Sequence, residues 1–271
     1  MGLTFHDVAA IRSVLAVPGF ALLAWLYRGR TVSSGSFRLR RGDVLLAIFA
    51  GVLCYYVGAL ANFYALTIID ASVERALLFA YPIFVVLITT AIDRKPPSPR
   101  VVLALLLTSL GVVLVTDALS TTLTDAQWSG MGWIGFCSIS IAIYFLISGE
   151  LTQRLGSGLF TLIAMTAAAI GFAGHYQVVQ GWQNIAMGAE AWVTLGGLVV
   201  FSTVLPLFLM AEGIRRVGAS RASLISTLGP PATAIMAYEL TGEVLSAGQL
   251  LGIGLVLVGV LALELGRARA A

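Results

Sequence analysis

Glu74 and Arg75 are adjacent ionisable residues inside an otherwise apolar stretch of the chain. A charged side chain is costly in the hydrocarbon region of a membrane unless it is paired or lines a water-filled cavity. The pair could therefore bind both ends of a zwitterionic ligand, or form an outer gate. The alternative is structural, with Arg75 extending to the lipid headgroups while Glu74 stabilises a helix N-terminus. The sequence leaves both interpretations open.

Other polar and aromatic side chains lie in neighbouring apolar stretches and could face the same cavity. Asn62 is the most informative, because an amide inside a membrane span needs a hydrogen-bonding partner. Tyr55, Asn62 and Tyr64 do not share one helical stripe, so not all of them can face inward. For the aromatic residues, packing or an interfacial belt is the alternative. The candidate substrate-binding residues are Tyr55, Asn62, Tyr64, Glu74, Arg75, Tyr81, Tyr144 and Ser226.

Two prolines are candidate hinges, and two glutamates are candidates for proton coupling. Pro82 and Pro230 each interrupt the centre of an apolar stretch, where a proline kinks a helix and can act as a hinge. A structural kink without ligand contact is the alternative. Glu212 and Glu150 could each carry a coupling proton if buried. The alternative for both is a solvated helix end beside neighbouring arginines.

Nine apolar stretches must position these residues. The 271-residue chain is 59% hydrophobic and only 11% charged, with a mean hydropathy of +0.96, whereas a soluble domain carries roughly 25% charged residues. Stretches of about twenty such residues satisfy their backbone in lipid only as helices. The sequence therefore predicts an all-α polytopic membrane protein. The predicted spans are 8–27, 44–67, 72–92, 98–117, 131–150, 158–178, 192–213, 220–239 and 247–266.

The basic residues predict the orientation of the spans. Of the 16 lysines and arginines, all but Arg12 and Arg75 lie in alternate connections or in the C-terminal tail. Basic loops stay in the cytoplasm, so we expect a cytoplasmic C-terminus and an extracytoplasmic N-terminus of this chain, in an inner or plasma membrane. The arginines are divided among short loops, which argues against nucleic acid as a partner.

The chain also matches itself at a shift of 148 residues, although the sequence identity is low. Four spans fall on four others without a gap, and Pro82 falls on Pro230. The span 131–150 has no counterpart, so the complete unit is five helices, and a unit with an odd number of helices repeats in inverted orientation. The predicted repeats are 1–120, which lacks its leading helix, and 128–268. Ten helices are thus expected for the ancestral architecture and nine are present.

Specific residues carry a resemblance to a known family. In the first half these are Ala65-Leu66, Ala71-Ser72, Ala76-Leu77-Leu78 and Pro82. In the second half they are the runs 216–220 and 223–230, the pair Gly242-Glu243, and the run 252–259. Arg12 and Ala16 add to them. The chain resembles the drug/metabolite transporter superfamily, EamA type, over essentially its whole length. The resemblance implies ten helices and a central cavity, whose walls here include 44–67, 72–92, 131–150, 192–213 and 220–239.

The expected function is therefore secondary transport, and two alternative functions come from other classes of protein. We expect a transporter of small organic metabolites, an exporter by resemblance, that works by alternating access with a small-molecule substrate and the lipid bilayer as its partners. A P-loop for ATP and the motifs of intramembrane enzymes are absent from the sequence, so no catalytic residue, metal or cofactor is predicted. A non-transporting or degenerate membrane protein of the same fold, or an intramembrane enzyme, remains the alternative.

Overall fold

The structure is a computed structural model that describes residues 5–27, 40–116, 125–179, 188–241 and 246–268. Every regular element in these ranges is helical. The α-helices are α1 (Phe5–Leu26), α2 (Arg41–Gly51), α3 (Ala59–Ala65), α4 (Ala71–Leu78), α5 (Tyr81–Asp93), α6 (Pro99–Val115), α7 (Asp125–Leu155), α8 (Ser157–Val179), α9 (Ala189–Leu198), α10 (Leu205–Val217), α11 (Ala219–Ile225), α12 (Gly229–Thr241) and α13 (Ala247–Ala268).

These helices form the predicted membrane spans. Among the described residues, six stretches are long and apolar enough to cross a bilayer: Val8–Leu26, Arg41–Ala65, Val73–Asp93, Trp128–Leu155, Ser157–Val179 and Glu190–Val217. Two shorter apolar helices, Pro99–Val115 and Ala247–Ala262, and the stretch formed by α11 and α12 account for the other three predicted spans. The prediction of an all-α polytopic membrane protein is confirmed.

The chain divides into two compact units. Unit 1 comprises Met1–Val57 and Ile147–Gly218, and unit 2 comprises Gly58–Leu146 and Ala219–Ala271. These units differ from the two predicted sequence repeats, because each unit takes helices from both repeats.

Unit 1 is built on close contacts of α8 with α1 and α2. A methyl group at Gly51 would lie 2.1 Å from the carbonyl oxygen of Ala164, and one at Gly158 would lie 2.8 Å from the Cα of Ala24. Only glycine permits backbones to approach so closely, which is the usual way in which membrane helices pack. A buried apolar cluster beside this contact is formed by Ala16, Phe20, Met165, Val199 and Val204.

In unit 2 the helices α6 and α13 make comparable close contacts at two places, one at Gly111 and one at Gly259. A methyl group at Gly111 would lie 2.6 Å from Val256 Cγ2 and 2.7 Å from the Gly252 carbonyl oxygen. A methyl group at Gly259 would lie 2.8 Å from Thr108 Cγ2 and 3.2 Å from the Ala104 carbonyl oxygen. Each residue of the second set is the counterpart of one in the first at the 148-residue shift. The contact therefore has the local two-fold pattern that a duplicated helix would produce.

Irregular helical segments also recur at this shift. A π-helical segment, Val52–Gly58, joins α2 to α3, and another, Val199–Val204, joins α9 to α10. Such wide turns are often found at functional sites. The chain between α4 and α5 is broken at Phe79 and Ala80, and α11 is separated from α12 by the 3₁₀ turn Ser226–Leu228. Each of these two breaks comes shortly before one of the prolines predicted to kink a span.

Candidate substrate cavity

The first helix break in unit 2 is held by a buried serine. Pro82 lies in the first turn of α5, where its missing N–H leaves no donor unpaired and its ring prevents α4 from continuing. The Leu77 carbonyl oxygen accepts from the Ala80 backbone N–H at 3.1 Å, whereas the Leu78 carbonyl oxygen loses its helical donor because residue 82 is a proline. Ser138 Oγ donates to the carbonyl oxygens of Leu77 at 2.8 Å and Leu78 at 3.1 Å. A side chain of α7 thus bonds the Leu78 carbonyl oxygen, which the proline deprives of its donor, and adds a second hydrogen bond to Leu77.

The second break is held by hydroxyl groups of its own turn. Ser226 Oγ donates to the Ser223 carbonyl oxygen at 2.8 Å, and Thr227 Oγ1 donates to the Leu224 carbonyl oxygen at 2.6 Å. The Tyr81 and Ser226 hydroxyl groups form a hydrogen bond that joins the two breaks. Tyr81 is buried, and its ring lies 5.2 Å from that of Phe145. The two breaks therefore belong to one packed region of unit 2.

A cavity of about 600 Å³ opens beside the two breaks, and all its lining residues belong to unit 2. Its apolar wall includes Leu78 and Phe79 from the first break, and Gly229 and Pro230 from the second. Ligand sites for small molecules commonly enclose ≈300–1,000 Å³, with an apolar wall and a few polar groups. The size and location of this cavity suit an organic metabolite.

The charged groups of the cavity are Glu74 and Arg75, and they differ in environment. Glu74 is 5% exposed, whereas the Arg75 side chain is exposed. The Asn62 side chain lies within hydrogen-bonding reach of the Glu74 carboxylate. Within the described ranges no cationic group lies within 4.0 Å of that carboxylate, Arg75 included. The buried carboxylate is therefore held by an amide and not by an ion pair.

The remaining polar groups of the cavity form hydrogen bonds within unit 2. Thr116 Oγ1 donates to the Val112 carbonyl oxygen at 2.8 Å, and Thr233 Oγ1 donates to the Pro230 carbonyl oxygen at 2.9 Å. Gln249 takes part in a capping box, because its Oε1 accepts from the Ser246 backbone N–H at 2.9 Å and its backbone N–H donates to Ser246 Oγ at 3.2 Å. Its Nε2 donates to the Val115 carbonyl oxygen at 3.4 Å.

The structure brings some of the predicted site residues together. Glu74, Arg75 and Pro230 line the cavity, Asn62 reaches Glu74, and Tyr81 bonds to Ser226. Pro82 is buried at the first break.

Three predicted residues lie elsewhere. Tyr64 is 55% exposed, and its ring packs edge-on against Trp133 at 5.7 Å, the arrangement expected of an aromatic belt. Tyr144 is buried, and Tyr55 packs against the apolar cluster of unit 1. None of the three lines this cavity, so their binding roles stay predictions.

The glutamates proposed for proton coupling are both in ion pairs of unit 1. Glu212, 8% exposed, accepts from Arg215 at 2.6 and 2.8 Å, from Arg216 at 2.8 Å and from Ser157 at 2.7 Å. Glu150 pairs with Arg154 at 2.5 Å. Arg154 also bonds the buried Asp43 at 3.1 Å, so α2 and α7 are linked by charge. Neither glutamate lines the cavity of unit 2.

Several cavity residues were missed from the sequence. The pattern Ser246-x-x-Gln249 is a capping-box signature and could have placed Gln249 at a helix start. Nothing in the local sequence singled out Thr116 and Thr233, because serine and threonine are common in membrane helices. Ser138, beside the cavity, was missed because its contacts join residues about 60 positions apart in the chain.

The fold is that of a multi-pass membrane protein with a cavity beside two broken helices. Residues 3–117 and 128–265 match the EamA-like transporter family, so the chain belongs to that family and is a membrane transporter of the drug/metabolite transporter type. The "Uncharacterized transporter YcbK" of Bacillus subtilis (strain 168) is 33% identical over 258 residues, which cover 94% of this chain and 81% of that protein. A solved structure described only as "Crystal structure of protein" has a similar fold. Its TM-score is 0.78 at 14% identity, over 99% of this chain and 90% of the other.

Proposed function

We propose that the protein is a secondary transporter that exports small organic metabolites by alternating access. The observation that carries the proposal is the pair of helix breaks in unit 2, which are joined through Tyr81 and Ser226 beside a cavity of about 600 Å³. Broken helices at a substrate site are a recurrent feature of secondary transporters. The direction of transport rests on the resemblance to EamA-type exporters.

The two breaks supply the flexible positions that alternating access needs. A helix that is interrupted by proline can bend at the interruption without losing further hydrogen bonds, because the missing N–H was never part of the ladder. Phe79 and Gly229 lie at the breaks and in the cavity wall, so bending there would change the shape of the cavity. In this proposal the repeats 1–120 and 128–268 exchange inward-open and outward-open shapes. The matching positions of the breaks and of the α6–α13 contacts support that duplication.

We also propose that the protein lies in the plasma membrane with its arginine-rich connections on the cytoplasmic side. The C-terminus would then be cytoplasmic and the N-terminus of this chain extracytoplasmic. Reporter fusions in the 94–98 and 242–245 connections test the proposal. We expect a cytoplasmic signal from the first and an external signal from the second, and signals from the same side would contradict it.

A flux experiment tests the transport proposal. The purified chain is reconstituted into liposomes that contain a mixture of small polar metabolites, and mass spectrometry identifies those that leave faster than from protein-free liposomes. The variants Pro82→Ala and Pro230→Ala restore a backbone N–H and favour helix continuation, so they should slow efflux. Pro99→Ala is the matched control, because Pro99 begins α6 and does not line the cavity. Equal release from liposomes with and without the protein would refute transport.

A further inference from the structure

We propose that the cavity of unit 2 recognises an ammonium group on its substrate and that Glu74 is the residue that selects it. This inference rests on the proposed transport function and specifies the chemical class of the cargo. Its first support is the state of Glu74, which is almost completely buried yet has no cationic side chain within 4.0 Å among the residues with a described position. A buried carboxylate is stabilised by an opposite charge, and a bound cation would supply one.

The second support is the hydrogen-bonding character of the cavity wall. The Thr116 and Thr233 hydroxyl groups both donate to backbone carbonyl oxygens of their own helical turns. A hydroxyl whose single proton is used in this way presents only acceptor lone pairs to a ligand. An ammonium group has three donors and no acceptor, so it complements such groups, whereas a carboxylate ligand would find no hydrogen there to accept.

The acceptor groups come from three different helices around the cavity. Glu74 is on α4, Thr116 follows α6 and Thr233 is on α12. Asn62 does not line the cavity, but its side chain reaches Glu74 from behind the wall, and its buried Oδ1 has no hydrogen-bond partner in the described structure. A small cation entering the cavity would therefore meet oxygen atoms on several sides.

The donors of the cavity occupy a different environment. Arg75 lines the cavity but is exposed, so its guanidinium keeps contact with solvent or lipid headgroups. The Gln249 side chain accepts from the Ser246 backbone N–H through Oε1, and one of its two Nε2 hydrogens bonds the Val115 carbonyl oxygen at 3.4 Å. A carboxylate on the cargo could contact Arg75, but the buried charge of the cavity is negative. The ammonium group is therefore the feature that we expect to be required.

Binding measurements on the purified 271-residue chain in detergent test this inference. Isothermal titration calorimetry would compare 2-phenylethylamine with 2-phenylethanol and 3-phenylpropanoate, and repeat the set on indolyl and linear alkyl scaffolds of similar size. We expect the amine to bind most tightly on at least one scaffold. Glu74→Gln keeps the shape of the side chain but removes its charge, and should weaken amine binding by about 10- to 100-fold. Glu74→Asp should retain part of the affinity.

Glu239→Gln is the matched control, because Glu239 is an exposed glutamate of the same unit that does not line the cavity. Its amine affinity should equal that of the unaltered chain, and this comparison also corrects for partition of the ligands into detergent. If no amine binds more tightly than its alcohol, or if Glu74→Gln and Glu239→Gln behave alike, the inference is wrong. Tighter binding of the carboxylates would also overturn it and would point to Arg75.

The liposome experiment separates this inference from the transport proposal. Release of metabolites that lack an amino group, with no preference for amines, would contradict ammonium recognition and leave transport intact. Amine binding that depends on Glu74, without release of any metabolite, would support recognition and contradict transport.

Discussion

Two carboxylates of similar burial are compensated differently in the two units. Glu212 in unit 1 is 8% exposed and accepts hydrogen bonds from Arg215, Arg216 and Ser157. Glu74 in unit 2 is 5% exposed, has the Asn62 amide in hydrogen-bonding reach and feels the charge of Arg75, but within the described ranges it forms no ion pair within 4.0 Å. A buried charge held by close ion pairs is part of the structure, whereas one without a close ion pair is suited to a charged ligand. The difference distinguishes a structural ion cluster from a binding group.

The most direct test of this difference between Glu212 and Glu74 is to neutralise each carboxylate in turn. Glu212→Gln leaves two arginines without their partner and should lower the free energy of unfolding by about 2–3 kcal/mol, somewhat less than for a fully buried pair because the arginines are partly exposed. Glu74→Gln should not lower it and could raise it, because the substitution loses no ion pair and removes the cost of a buried charge. Thermal denaturation of both variants in the same detergent measures the difference. Equal destabilisation would mean that Glu74 is also structural.

The second ion cluster of unit 1 should show a smaller effect. Arg154→Met removes the partner of the buried Asp43 and should cost about 1–2 kcal/mol of unfolding free energy. Glu150→Gln is the control, because Glu150 is exposed and its pair with Arg154 should contribute less than about 1 kcal/mol. The two variants are compared by their denaturation midpoints at low and high salt. A larger loss for the glutamate variant would contradict the assignment.

The smallest expected effect concerns the helix break of unit 2. Ser138→Ala removes the hydroxyl that bonds the Leu77 and Leu78 carbonyl oxygens, and should cost about 1 kcal/mol. Ser140→Ala is the matched control on the same helix, because Ser140 Oγ donates only to the Phe136 carbonyl oxygen of its own turn, at 2.9 Å. Hydrogen exchange at residues 79–81 should increase in the first variant alone. Similar exchange in both would show that Ser138 does not hold the break.

The helical architecture was predictable because membrane spans follow from composition and length. The predicted spans 8–27 and 158–178 correspond to α1 and α8 within a few residues. The prediction for 72–92 was less complete, since it anticipated a kink at Pro82, whereas the helix ends at Leu78 and restarts at Tyr81. A proline indicates where a helix cannot continue, but the groups that satisfy the freed carbonyls, here those of Ser138, are set by tertiary packing.

The candidate site was predictable only in its charged residues. Glu74 and Arg75 stand out because charges are rare in apolar spans, and Asn62 stands out for a similar reason. Their separation into a buried carboxylate and an exposed guanidinium could not be read from adjacent positions in the chain. The π-helical segments were also not predicted, because a single wide turn leaves the apolar pattern of a fully hydrophobic span unchanged.

The glycine contact between α6 and α13 determines where unit 2 can deform. At Gly111 and Gly252 the two main chains are in direct contact, so no side chains lie between them that could change rotamer and repack. Sliding one helix along the other would drive the Val256 methyl groups into the main chain of α6. The α6–α13 pair should consequently move as one rigid body. Deformation of unit 2 would then occur mainly in the interrupted helices beside the cavity.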